Sequence, residues 1–569
     1  MSKIKSERAY ASKRFDQFVG IGERQSLNGK NATEMINFRL SSDGTLKKRN
    51  GYRLHREFPD TVRAYWEGTI NQTPFMFAIC GNGIYYLDPN GDLTQIDTVP
   101  NTYDDLNFFY YENNVYLADG TGIRAYNAGS VSFPYITPYV PLYGKSWDPV
   151  SLGSANEPFN LLTNRIRVQY TNTSGATVFH LPFYARSVDG VKVNGRSVDY
   201  TFVSLSDTVT LSSQVTGLYV EIALEVSLAE DAAGIKTATR STVYTAPDRN
   251  TVCLYGAECP YNLYTSAPID TVNLFSCRSI YPNAAPLYFK DEDIFIIGSR
   301  VNPITAICPY QDRALVYTKD STWQLFLNED NRTLAVIPLL RGIGCCSSRA
   351  ATVCGDTPVA INQKGVFLLQ FSSDKNEPPS CKSITGGIKE YLTADFVNTC
   401  CATEDPVSNE LWISSPNTEK PQVLVYHLTH RQWYLFDHMD AEFFIDCSDR
   451  RCFASGKKIY ALDNTCFDDA GEPIIASVTS SFFDFSHPEQ LKRALRVTVA
   501  AQTNGSPAYL RLETDRTERT FELIGKDSPS PEIFDSRALV GRFRMLRFRI
   551  LTGGDGDFRL YSVTFLANL

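Results

Sequence analysis

Apolar and polar residues alternate with a period of two over short stretches along most of the chain, the pattern of half-buried strands. Gly83-Ile84-Tyr85-Tyr86-Leu87 runs into the turn Asp88-Pro89-Asn90-Gly91, and Asn114-Val115-Tyr116-Leu117 precedes Gly122-Ile123-Arg124-Ala125-Tyr126-Asn127. The same cadence returns at Arg313 to Thr318 with Thr322 to Phe326, at Gly365 to Leu369, at Glu410 to Ile413 with Val423 to Tyr426, and at Lys458 to Asp463. Short strands recurring in units of about 40–50 residues predict β-propeller blades; an unrelated series of antiparallel meanders is the alternative. Residues 58–138 and 287–475 are read as blades, preceded by an N-terminal segment, 1–57.

Two stretches break the cadence. Between 139 and 286, Arg165 to Tyr170, Val191-Lys192-Val193 and Gly217 to Ile222 alternate cleanly, and Asn194-Gly195 is a strong hairpin signal. This region is read as a β-sandwich inserted between blades, and 476–569, with Leu495 to Val499, as a C-terminal one. Helix is almost absent; Leu228 to Ile235 is the best short candidate. The expected fold is therefore all-β, a propeller with an inserted and a C-terminal sandwich.

Composition agrees: Tyr 31 and Phe 34 against Met 5 and His 6 is a strand-forming vocabulary. The formal charge of -8 argues against a surface built to grip nucleic acid, which is basic as a rule. The first fifteen residues are basic but lack an apolar h-region, and no run of 18 apolar residues occurs, so neither a secretory signal nor a membrane span is expected. Fourteen cysteines in a chain without a signal point to buried thiols rather than a disulfide scaffold; adjacent pairs such as Cys345–Cys346 and Cys400–Cys401 do not make a zinc knuckle.

Candidate chemistry is sparse. Aspartates cluster in turns, where backbone hydrogen bonding is their usual work, and no sialidase box, nucleophile elbow or phosphate-binding loop occurs. His427 and His430 form His-x-x-His without a third ligand, and Asp88, Asn90 and Asp92 open like a calcium loop whose twelfth position is Val99. Neither a metal nor another cofactor is expected, and no catalytic residue is assigned. Arg542, Arg544, Arg547 and Arg549 interleave with Phe543 and Phe548. The parity of the arginines slips near Leu546, as at a β-bulge, which leaves two readings: solvated or ion-paired strand arginines, or contact with an anion or a protein partner.

The tract Asn37-Phe38-Arg39 with Asp43-Gly44-Thr45-Leu46-Lys47-Lys48-Arg49-Asn50-Gly51-Tyr52 resembles the segment that precedes the first blade in bacteriophage tail β-propeller proteins. Pro286 to Phe289 with Ile304 to Ile307 and Tyr310 to Arg313, and Gly344-Cys345 followed by Gly365-Val366-Phe367, resemble two of their blades in the same order. The likeness is to tail nozzle or hub proteins of short-tailed phages. It implies a non-enzymatic virion protein, made in the host cytoplasm and assembled into a homo-oligomeric ring, commonly a hexamer. Such a ring lies under a portal–adaptor complex, extends the channel for double-stranded DNA without sequence-specific binding, and docks fibres, spikes or a plug. Lys47, Lys48 and Arg49, with Arg542 and Arg544, are the candidate interface residues. A receptor-binding or tail-tip propeller of another phage type, and a glycan-active propeller enzyme, are the competing expectations.

Overall fold

A computed structural model describes residues 10–22, 31–88, 91–100, 105–216, 219–227, 234–246, 249–267, 286–328, 332–372, 379–416, 422–447, 450–526, 530–538 and 540–569. Regular structure among them is nearly all β; the one α-helix described is the short Ala394–Thr399. The helix candidate at Leu228 lies mostly outside the described residues, as do Gly217, Leu218, Pro89 and Asn90; its described end is the 3-10 turn Gly234–Thr237. The chain divides into two compact units, residues 63–341 and residues 1–62 with 342–569.

The 63–341 unit carries meander sheets in chain order. Val62–Ile70, Thr73–Cys80, Gly83–Leu87 and Leu93–Thr98 form the first; Phe108–Tyr111, Asn114–Ala118 and Ile123–Ala125 the second. Arg240–Ala246, Arg249–Tyr255, Asn262–Ser266 and Phe289–Ile296 form the third; Ile304–Tyr310, Arg313–Thr318, Ser321–Leu327 and Leu334–Arg341 the fourth. Alternation explains their stacking. Val115 and Leu117 enter the core shared with the first sheet, while Tyr116 and Ala118, on the other face, enter the core shared with the third. Val252 and Leu254 likewise face the second sheet, and Cys253 and Tyr255 the fourth. A strand with apolar residues on both faces is stable only between two other layers.

Between the second and third meanders, a five-stranded and a three-stranded sheet face each other over one core that includes Trp147, Tyr170, Phe179, Val209 and Ile222. Asn194 and Gly195 turn between Ser187–Val193 and Arg196–Ser197 with φ of 47° and 80°, the left-handed pair that a two-residue hairpin requires. The facing sheets span strands from Leu142 to Glu225. The strands between 240 and 266, expected inside the insertion up to residue 286, instead pair with Phe289–Ile296, because both of their faces are apolar and neighbouring meanders cover them.

In the second unit, Thr352–Cys354, Thr357–Asn362, Gly365–Gln370 and Ser380–Ser383 form one meander, and Cys401–Asp405, Glu410–Ser414, Gln422–His427 and Gln432–Asp437 the next. A third, Phe443–Asp446, Arg451–Ser455 and Lys458–Asp463, takes its next strand from the far end of the chain, Gly51–Glu57. The N-terminal segment is thus more than a lead-in. Tyr10–Phe15 pairs with Arg559–Asn568, Asn31–Ile36 with Ala476–Ser480, and Leu46–Lys48 with Arg559–Asn568. Both sheets of the C-terminal region therefore contain N-terminal strands, and Phe15 packs its ring against Phe483, Phe548 and Phe565.

Candidate functional site

The tract 37–52 acts as a knot within the second unit. Asp43 Oδ1 accepts from the Thr45 amide at 3.0 Å and its hydroxyl at 2.6 Å, closing the turn that sends Leu46–Lys48 back beside Phe38–Leu40. Lys48 and Arg49, expected at an interface, are both fully buried, and this corrects that expectation. The Lys48 ammonium donates to the Gly554 carbonyl and, at 3.2 Å, to that of Gly556. Burial, only partly opposed by Asp555, brings it down to about 8. Arg49 uses all five N–H groups: Nε to Asn37 Oδ1 at 2.8 Å, Nη1 to the Asn50 carbonyl and Asp469 Oδ1, and Nη2 to the Asp437 carbonyl and Asp469 Oδ2. Such a bidentate, fully bonded pair is the form in which a charge tolerates burial. Lys47 stays half-buried, its ammonium 5.5 Å from the Phe467 ring centroid.

Next to the knot is the most chemically concentrated cluster of this unit, which the sequence reading left unassigned. Glu410, almost wholly buried, accepts from the Tyr434 hydroxyl on Oε1 and from Trp412 Nε1 at 2.8 Å on Oε2. Arg39 lies 3.5 Å from Glu410 and 3.7 Å from Asp405, with its guanidinium carbon 5.5 Å and 5.2 Å from the ring centroids of Trp412 and Phe436. Asp405 and Glu410 oppose each other directly across strands, a like-charge pairing that the arginine between them offsets. Burial pushes the Glu410 carboxyl up, against Arg39 and the Tyr434 and Trp412 hydrogen bonds. The available signal was a glutamate heading an otherwise apolar strand, Glu410-Leu411-Trp412-Ile413.

A recess of about 420 Å³ opens over this cluster, lined by Arg39, Lys47, Asn409, Glu410, His427 and His430. His427 faces Glu410 across the sheet, and its Nδ1 accepts from the His430 amide at 3.4 Å. Burial, then His430 and Arg39, lowers it to about 4. Glycoside cleavage needs two carboxylates free to flank a bond; here both oxygens of Glu410 are engaged and Asp405 shares its arginine. Among the described residues, no three His, Cys, Asp or Glu converge as metal ligands, and no helix is long and apolar enough to cross a membrane.

Arg542 and Arg544 are exposed, and the Arg544 amide donates to Asp515 Oδ1 at 2.9 Å. The parity slip near Leu546 is not a bulge: Arg542–Phe543 belongs to the seven-stranded sheet with Lys492–Gln502, whereas Leu546–Thr552 lies in the sheet with Ala508–Thr514. The chain changes sheets at 544–545. Arg547 is held by Glu513, and Arg549 lies 3.5 Å from Glu34.

No protein-family model matches the chain, and no curated protein sequence does. Among solved structures it is similar to virginiamycin B lyase from Staphylococcus aureus, at 8% identity and TM-score 0.34, over 80% of this chain and 99% of that one. It is also similar to Kluyveromyces lactis Hsv2, at 10% identity and TM-score 0.28 over 66% and 97% of the two chains. A glycoside hydrolase matches at 9% identity and TM-score 0.23 over 91% and 100%. Likenesses this distant carry no argument about function.

Proposed function

We propose that the chain is a structural subunit of a phage tail nozzle or hub, in which the meander sheets are blades of one propeller. The 139–286 and 476–569 regions then carry its inserted and C-terminal sandwiches. One observation carries the reading: the tract that resembles the tail-propeller signature, residues 37–52, is also the point where the N-terminal strands, the last meander and the C-terminal sheets are fastened together. A subunit of a pressurised channel needs its ends locked, and a final meander completed by an N-terminal strand supplies that lock. The net charge of -8 supports a wall that double-stranded DNA passes without adhering. In the chemically rich cluster around Glu410, both carboxylate oxygens are engaged by Tyr434 and Trp412, as befits a packing role.

Light scattering of the purified chain, alone and mixed with its portal–adaptor complex, tests the proposal, together with imaging of intact particles. The expected result is a closed ring at the distal end of the channel. A chain that stays monomeric in the mixture and is missing from particle tails overturns it.

A further inference from the structure

Arg549, one of the arginines singled out in the sequence, takes part in an arrangement that the structural role does not use. Arg511, on Ala508–Thr514, and Arg549, on Leu546–Thr552, are directly opposed across the sheet. Like charges in that position repel. Arg549 is opposite Thr479 in turn, and Thr479 is opposite Glu34. The register shifts between Ala32 and Glu34, so Thr33 is the extra residue of a bulge, and both Thr33 and Glu34 line the same recess as Thr479, Arg511, Arg547 and Arg549. Bulges re-aim side chains in this way beside binding sites.

The recess has a volume of about 280 Å³, below the range of roughly 300–1,000 Å³ that suits drug-sized ligands, so its occupant is small. Two donors on its lining, Arg549 Nε and Thr479 Oγ1, are buried without a hydrogen-bond partner, and Thr479 is only 8% exposed. Unmet buried donors are unfavourable and point to a missing acceptor. The carboxylates present are already engaged: Glu513 grips Arg547 through both oxygens, and Glu34 lies 3.5 Å from Arg549. Glu518 holds Arg511 from the outside, but both partners are exposed, where an ion pair is weak and readily exchanged.

We infer that this recess binds a small tetrahedral oxyanion, a phosphate group, between Arg511 and Arg549. Its charge offsets the repulsion of the facing guanidiniums, and its oxygens accept from Arg549 Nε and the Thr479 hydroxyl. The site is distinct from the Glu410 cluster and does not depend on the ring proposed above.

Calorimetric titration of the full-length chain with inorganic phosphate at low ionic strength tests this. The expected result is one saturable site per chain, weakened at least tenfold in R511Q and in R549Q and unchanged in K319Q, an exposed lysine of the other unit. Arg511 is exposed, so R511Q keeps its fold, and an unchanged thermal midpoint verifies that; T479V, which removes one donor without charge, is expected to weaken binding more modestly. A random-sequence DNA duplex added as competitor separates the sources. Displacement of phosphate identifies backbone phosphates as ligand, its absence identifies free phosphate, and either keeps the site. A non-saturable titration, or wild-type affinity in R511Q, overturns the inference.

Discussion

At the scale of single residues, the charges that looked most available for partners are those the fold consumes. Arg49 meets Asp469 across 420 residues of sequence, and no local pattern around Lys47-Lys48-Arg49 discloses so distant a partner. Removing one member of such a buried pair costs about 3–5 kcal/mol, which is why a basic tip beside a turn is here a structural rivet. His427 shows the same logic in a titratable group. The fold holds it neutral down to about 4, whereas the unfolded chain protonates it near 6.5. Between these values the unfolded state binds the extra proton, so stability is present above pH 6.5 and falls as pH drops toward 4. The loss approaches about 1.4 kcal/mol per pH unit for a full proton. Carboxylates titrate nearby, so the difference between wild type and H427Q isolates the effect. The expected stability difference shrinks steadily from pH 6.5 to pH 4.5, and a His427 imidazole that titrates near 6.5 by NMR contradicts the assignment.

At the scale of elements, the meanders were legible because a period of two is a local property. Asn114-Val115-Tyr116-Leu117 announces a strand whatever surrounds it, and Asn194-Gly195 announces its turn. Pairings between distant segments were not legible. Nothing in Gly51 to Glu57 says that its partner is Lys458–Asp463, nor in Tyr10 to Phe15 that it lies against the last strand. The slip at Leu546 was visible, but a bulge and a change of sheet produce the same parity and differ only in the partner strand. The Glu410 cluster stayed hidden because Arg39, Asp405, Glu410 and Tyr434 meet only after the sheet forms. Gly51 tests the N-terminal strand directly. A Cβ there would sit 1.8 Å from the Asp468 carbonyl oxygen, and that obstacle is backbone, which cannot swing aside as a side chain can. Gly51→Ala is therefore expected to destabilise the 1–62/342–569 unit by roughly 1–3 kcal/mol, toward the upper end. In hydrogen exchange, the amides of Gly51–Glu57 and Lys458–Asp463 are expected to lose protection together. Loss confined to Gly51–Glu57 would mean that the strand is an adornment rather than part of the sheet.

At the scale of the whole molecule, the two ends of the chain form one cooperative body. Strands Tyr10–Phe15 and Asn31–Ile36 belong to the sheets built by Arg559–Asn568 and Ala476–Ser480, and Phe15 completes the aromatic cluster of Phe483, Phe548 and Phe565. Removing residues 1–36 would uncover strand edges and take a buried ring out of that core, and exposed edges of this kind invite association. The tryptophans divide between the units, Trp412 and Trp433 in one and Trp66, Trp147 and Trp323 in the other, so fluorescence can follow each separately. Deletion of residues 1–36 is expected to lower the urea midpoint reported by Trp412 and Trp433 and to leave the transition of the 63–341 unit near its wild-type position, because the cores described there draw only on residues within that unit. Deletion of 559–568 should reproduce the same selective shift, since the two segments are opposite sides of one pairing. Equal displacement of both transitions would instead mean that the units unfold as one, and wild-type midpoints after either deletion would make the terminal strands dispensable to the core.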